Sequence, residues 1–255
     1  MFVSLVSGSS GNASVIRLEG TTLLIDCGMS GKRLINALSY IDIAPDDIDA
    51  LLITHEHTDH IQGAGVIARR LNVPVYATEG TFSQMKVGAI PDFIQVKNGE
   101  AFDIGSIRVE PFAISHDANE PVGYSFYFGN EKYSVATDTG IMTDEIYNSI
   151  KGSTAVMLEA NYDEEMLKYG EYPYELKKRI LGDKGHLSND AASKIALRLL
   201  NDNTSNIMLS HLSEKNNLPE IAYKTVENEL RKNGAVIGKD VRLLVANRYE
   251  VTKFI

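Results

Sequence analysis

Apolar and polar residues alternate along this chain in two distinct rhythms. Residues 2–6, Phe2-Val3-Ser4-Leu5-Val6, form a short run rich in β-formers. A turn over residues 7–12 follows. Two further apolar runs, residues 13–18 and 21–26, flank Glu19-Gly20, which is a hairpin signal. Leu34, Ile35, Leu38 and Ile41 then recur at helical spacing and predict a helix over residues 30–41. The same reasoning predicts strands over 50–54, 73–77, 107–115, 156–159, 207–210 and 242–246. A hairpin over 122–137 turns at Gly129-Asn130. Helices are predicted over 60–71, 163–169, 173–181, 188–201 and 219–233. Strands grouped in hairpins with helices between the groups suit an α/β chain. Two sheets packed face to face, with helices outside, suit this pattern, though periodicity alone does not fix the topology.

No Pro/Gly/Ser-rich linker, low-complexity segment or short-period repeat divides the 255 residues, so a single domain over residues 1–255 is expected. A single cysteine, Cys27, excludes an intrachain disulfide and any Cys-rich zinc module. It reads as a small buried apolar residue. No basic and apolar leader pattern and no membrane-length apolar run occurs, so a cytoplasmic location without membrane association is expected. The formal net charge of −9 argues against a protein that coats DNA through a broad basic surface. A nucleic-acid enzyme remains open, because bound divalent cations concentrate positive charge where a phosphate must sit.

The chemistry is concentrated in Thr54-His55-Glu56-His57-Thr58-Asp59-His60, at the end of an apolar strand and the start of a helix. Three of the six histidines in the chain fall within these residues. Neutral imidazole and carboxylate are the donors that zinc and similar cations prefer. A polar surface loop would not need such clustering. His116, Asp138 and His211 each follow an apolar run, as His55 does. If those strands share sheets, their ends converge on one edge. Asp26 and Thr54 also lie at strand ends, and Asp26 is expected to orient a ligand imidazole.

His55-Glu56-His57-Thr58-Asp59-His60, followed in order by His116, Asp138 and His211, resembles the metallo-β-lactamase superfamily. The resemblance implies an αβ/βα four-layer sandwich with its site at one edge. It implies His55, His57 and His116 on one metal ion, Asp59, His60 and His211 on a second, and Asp138 bridging both. Zinc or manganese is the expected metal, with iron possible. Ser7-Gly8-Ser9-Ser10-Gly11-Asn12, Leu24-Ile25-Asp26-Cys27-Gly28, residues 158–163 (Leu-Glu-Ala-Asn-Tyr-Asp) and residues 183–190 (Asp-Lys-Gly-His-Leu-Ser-Asn-Asp) are similar to the YycJ/WalJ group of that superfamily. That likeness implies a 5′-to-3′ exonuclease acting on double-stranded DNA, in DNA repair.

His186, the one histidine outside the ligand set, resembles a histidine before the last metal ligand of ribonuclease Z. It is assigned as general acid or phosphate ligand, with Glu159 accepting its hydrogen bond. Asp59 completes the catalytic set. The bland alternatives are a surface His186 at a helix start and a solvated Glu159. Ser9, Ser10, Asn12, Asn161 and Lys184 are candidate substrate contacts. The 9–12 turn offers backbone N–H groups to a phosphate, unless it is an ordinary turn. Arg179 joins Lys184 as a possible backbone contact, against the usual solvated charge. Competing functions are RNA processing of the ribonuclease Z type, hydrolysis of a small thioester or lactone, and a non-enzymatic metal-dependent partner.

Overall fold

In the computed structural model, which describes residues 1–255, the predicted strands and helices form with shorter bounds and several additions. The first half of the chain runs β1 (Phe2–Val6), β2 (Ala13–Leu18), β3 (Thr21–Ile25), α1 (Gly31–Tyr40), β4 (Ala50–Leu52), α2 (Thr58–Ile61), α3 (Ala64–Leu71), β5 (Val75–Ala77), α4 (Glu79–Gln84) and β6 (Phe93–Gln95). Next come β7 (Phe102–Ile104), β8 (Ile107–Ala113), β9 (Val122–Phe128), β10 (Glu131–Ala136), α5 (Asp144–Ile150) and β11 (Ala155–Glu159). The chain finishes with α6 (Glu164–Tyr169), α7 (Tyr174–Leu181), α8 (Asn189–Asn201), β12 (Asn206–Ser210), α9 (Pro219–Lys232), β13 (Arg242–Val245) and β14 (Thr252–Lys253).

The strands form two seven-stranded mixed sheets, ordered β14-β1-β2-β3-β4-β5-β6 and β13-β12-β11-β10-β9-β8-β7. Helices surround them, as the α/β pattern predicts. The chain divides into two compact units. The first comprises Met1–Ala113, Ala118–Phe128 and Asn247–Ile255; the second comprises Ile114–Asp117 and Gly129–Ala246.

In the first unit, β3, β4, β5 and β6 are parallel, with Leu24 opposite Leu51 and Leu52 opposite Tyr76. Parallel strands are buried on both faces, so their residues are apolar throughout rather than alternating. Every residue of β3 and β4 is buried, and all but Thr21 and Thr22 are apolar. Leu34 and Leu38 seal α1 onto a core that includes Val3, Leu24, Leu51 and Ile67. Each such side chain contributes about 1.5–3 kcal/mol on full burial. Tyr124 of β9 is fully buried and its hydroxyl donates to the Ile53 carbonyl at 2.9 Å, which supports the chain just before the histidine loop.

The second unit is built on the parallel strands β10, β11, β12 and β13. Their register sets Ala136 beside Leu158, Leu158 beside Leu209, and Glu159 beside Ser210. Parallel strands in register end together, so whatever follows them shares one edge, where open α/β sheets bind their ligands. Those followers are Asp138, Glu159 itself and His211.

The helix predicted over residues 60–71 is two helices. Gly63 separates them: its N–H donates to the Cys27 carbonyl at 2.8 Å instead of continuing the helix, and a Cβ there would lie 2.1 Å from the Met29 carbonyl oxygen.

Candidate metal centre

In the first unit, three loops are knitted together by backbone. Asn12 N–H donates to the Asp59 carbonyl at 2.7 Å, Cys27 N–H to His60 at 2.7 Å, Gly28 N–H to Asn12 at 2.8 Å and Gly63 N–H to Cys27 at 2.8 Å. Gly28 is required: a Cβ there would lie 1.6 Å from the Asp59 carbonyl oxygen. Gly11, whose Cβ would lie 2.3 Å from the Gly28 carbonyl oxygen, and Gly28 therefore serve close packing around the histidine loop.

The imidazoles are aimed by fixed partners. Asp26 adopts φ +58°, a left-handed backbone uncommon outside glycine, at the residue where β3 ends. Its Oδ1 accepts from Thr54 N–H and its Oδ2 from the Thr54 hydroxyl, both at 2.8 Å. Oδ2 also faces His60 Nδ1 at 2.8 Å. That pairing puts the proton on Nδ1 and the lone pair of His60 on Nε2. Thr54 Oγ1 lies 3.1 Å from His55 Nδ1, and His55 Nε2 lies 3.1 Å from His57 Nδ1. His55 and His60 are fully buried. Asp59 Oδ2 is 3.6 Å from His60 Nε2. Asn12 Nδ2 reaches both, at 3.3 Å from Asp59 Oδ2 and 3.0 Å from His60 Nε2. Ser9 and Ser10 stay exposed at the turn.

Glu56, between the first two histidines, was not singled out by the sequence. Its Oε1 accepts Asn119 N–H at 2.8 Å, and Asn119 Nδ2 donates to Gly80 carbonyl at 2.9 Å. The histidine loop is thereby braced against the 117–121 loop. An acid between two candidate ligands was the available signal.

The second unit holds a second cluster. Asp138, Glu159, His186 and His211 each bring one ligand atom within 4.8 Å of the others. Asp138 and His211 repeat the device seen at Asp26, with φ +59° and +58° just beyond β10 and β12. Such backbone clusters at functional sites. Glu159 is fully buried. Its Oε1 lies 2.8 Å from His186 Nδ1 and 3.0 Å from His211 Nδ1, while Oε2 accepts Thr139 N–H at 2.8 Å and Leu187 N–H at 3.3 Å. Burial pushes this carboxyl up, but the charge of His186 and the hydrogen bonds of both histidines outweigh it and hold Glu159 below the ordinary carboxylate value. A solvated Glu159 is thus excluded, and the carboxylate is committed to orienting two imidazoles. His211 Nδ1 lies 3.3 Å from Asp138 Oδ1 and His116 Nε2 lies 3.8 Å from it. His116 Nδ1 faces the Gly185 carbonyl at 3.2 Å, which leaves Nε2 as the nitrogen available to a metal.

Asn161 is buried, with Nδ2 donating to the His211 carbonyl at 2.7 Å. Its amide serves the turn that presents His211 and does not point outward to a substrate. Behind it, Asn217 Nδ2 donates to the carbonyls of Ala160 and Asn161 at 2.9 and 3.0 Å. Nothing in the sequence marked Asn217. Lys184 is exposed two residues before His186.

The donor chemistry fits divalent cations. Buried imidazoles have Nδ1 tied to a carboxylate, hydroxyl or carbonyl, the arrangement that orients histidine towards a metal. The His and Asp groups of both clusters are able to bind metal ions.

A family model described as the beta-lactamase superfamily domain matches residues 21–212. The chain is 40% identical over 243 residues to the exodeoxyribonuclease YycJ of Bacillus anthracis, covering 93% of this chain and 92% of that one. It is 38% identical over 245 residues to the exodeoxyribonuclease WalJ of Streptococcus pneumoniae, covering 94% and 91%. Among solved structures, the metallo-β-lactamase fold protein YhfI from Bacillus subtilis superposes with a TM-score of 0.73 at 15% identity, covering 98% of each chain. Both sheets, both clusters and the matched span agree: the chain belongs to the metallo-β-lactamase superfamily and is an enzyme of its hydrolase fold.

Proposed function

We propose that the chain is a 5′-to-3′ exonuclease on double-stranded DNA, with residues 1–255 acting as one catalytic domain. The observation that carries this reading is the 38–40% identity to exodeoxyribonucleases across more than nine-tenths of both chains. In this reading, as the family likeness implies, His55, His57 and His116 would hold one ion and Asp59, His60 and His211 the other, with Asp138 available to both. Zinc and manganese both suit these ligands. When bound, the two cations supply the Lewis acidity that activates water and offsets charge on a phosphodiester.

The protein's own groups complete the chemistry. Asp26, Thr54 and Glu159 hold the ligand imidazoles in one tautomer. His186 Nδ1 faces Glu159 Oε1 at 2.8 Å, so that carboxylate orients the ring and Nε2 is the nitrogen left to act as proton donor. As water adds to phosphorus and the P–O bond breaks, His186 Nε2 gives a proton to the leaving alkoxide oxygen and the proton shed by the water passes to solvent. Ser9, Ser10 and Lys184 are exposed positions suited to substrate contact, and Asn12 acts on Asp59 and His60. We place the activity in the cytoplasm, where a DNA substrate resides. No helix is long and apolar enough to cross a membrane.

The test incubates metal-loaded protein with end-labelled duplex DNA, RNA and a panel of thioesters and lactones. Progressive loss of nucleotides from a 5′-phosphorylated DNA end supports the reading. Ester turnover, or RNA cleavage, with intact DNA overturns it.

A further inference from the structure

Next to the His186 cluster, the second unit carries an open hollow of about 460 Å³. It is lined by Asp117, Glu175, Lys178, Arg179, Asp183 and Lys184 among others. Its floor is α7, fixed onto α6 by the buried side chains Tyr162, Leu167 and Ile180. Its rim is the 182–186 loop, which is clasped rigidly. Ser115 Oγ donates to the Asp183 carbonyl at 2.7 Å, Gly185 N–H to Gly182 at 2.8 Å and His186 N–H to Ile180 at 3.0 Å. A Cβ on Gly140 would lie 2.4 Å from that same Asp183 oxygen. The hollow is therefore held in fixed relation to His186 and His116.

The charges in it are not equivalent. Arg179 grips Asp117 through Nε and Nη2, which neutralises both. Lys177 turns away and donates to the carbonyls of Lys168 and Gly170 at 2.9 and 2.7 Å. Lys178 and Lys184 are exposed, and neither closes an ion pair with Glu175 or Asp183, although those carboxylates line the same hollow. In a chain of net charge −9, two uncommitted ammonium groups beside a phosphate-cleaving centre are well placed to hold a polyanion.

Resting on the nuclease reading, we infer that Lys178 and Lys184 bind phosphates of the DNA strand next to the one being cleaved, so that α7 and the 182–186 loop form the strand's track. Glu175 and Asp183 weaken that hold through like-charge repulsion. This gives the proposal a second prediction of opposite sign: removing either acid tightens binding.

The test measures equilibrium binding of a fluorescent duplex with hydrolysis-resistant phosphorothioate linkages to the metal-loaded full chain, by anisotropy across a series of salt concentrations. Each phosphate contact contributes about 0.9 to the slope of log affinity against log salt. Lys178→Ala/Lys184→Ala is expected to lower the slope by about 2 and to weaken binding at least about tenfold at low salt. Glu175→Gln/Asp183→Asn is expected to tighten it. A slope and affinity equal to wild type in the lysine variant overturns the track while leaving the nuclease reading intact, provided the wild type degrades native DNA. A wild type that neither binds nor degrades DNA overturns both. Circular dichroism of the variants should match wild type, since all four side chains are exposed.

Discussion

Asp26 shows how much one residue can decide. It ends β3, turns the backbone to φ +58° and uses one carboxylate for Thr54 N–H, the Thr54 hydroxyl and His60 Nδ1. Asn tolerates the same left-handed backbone but lacks the second acceptor oxygen. Asp26→Asn should therefore keep the fold and lose about 10–100-fold in metal affinity, read by calorimetric zinc titration. Unchanged affinity would show that His60 needs no such support. Cys27, the adjacent residue, is inert by the same burial. Removal from water pushes its thiol up to about 12. At pH 8 the thiolate fraction is then on the order of one in ten thousand, so a thiol reagent should fail to label native protein and label it fully in denaturant. Rapid labelling of the native chain would contradict the burial. Glu159 completes this scale, because its four hydrogen bonds make it an orienting group for His186 and His211.

At the scale of elements, the first cluster depends on loops that touch through backbone. Gly28→Ala drives a Cβ to 1.6 Å from the Asp59 carbonyl oxygen, which no rotamer relieves. A loss of roughly 4 kcal/mol or more is expected from urea unfolding, against about 1 kcal/mol for Gly129→Ala, whose φ of +56° is in open space. Equal effects at the two sites would contradict the packing argument. These contacts also explain what the sequence reveals. Asp138 and His211 were legible because an apolar run ends just before each, and the parallel register of β10, β11 and β12 brings those ends to one edge. Long amphipathic helices such as α8 and α9 were legible by period. The break at Gly63 was not, because it is set by Met29 and Cys27, distant in sequence. The strands β6 and β7, only three residues each, carry too few positions to show a period. Asn161 was singled out but as a substrate contact, and Asn217 not at all, for a related reason: a buried amide serving backbone carbonyls looks like a surface amide in sequence.

For the whole molecule, the proposed function calls for two metal ions, with Asp138 able to serve both. Metal content is thus the direct probe. Wild-type protein dialysed against excess zinc should carry two ions per chain, and Asp138→Ala should weaken both, whereas Asp59→Ala should weaken one. The decisive reading is the zinc-binding isotherm of Asp138→Ala beside wild type. Loss of affinity at both ions is the predicted result, and two ions bound with wild-type affinity would contradict a role for Asp138 at both.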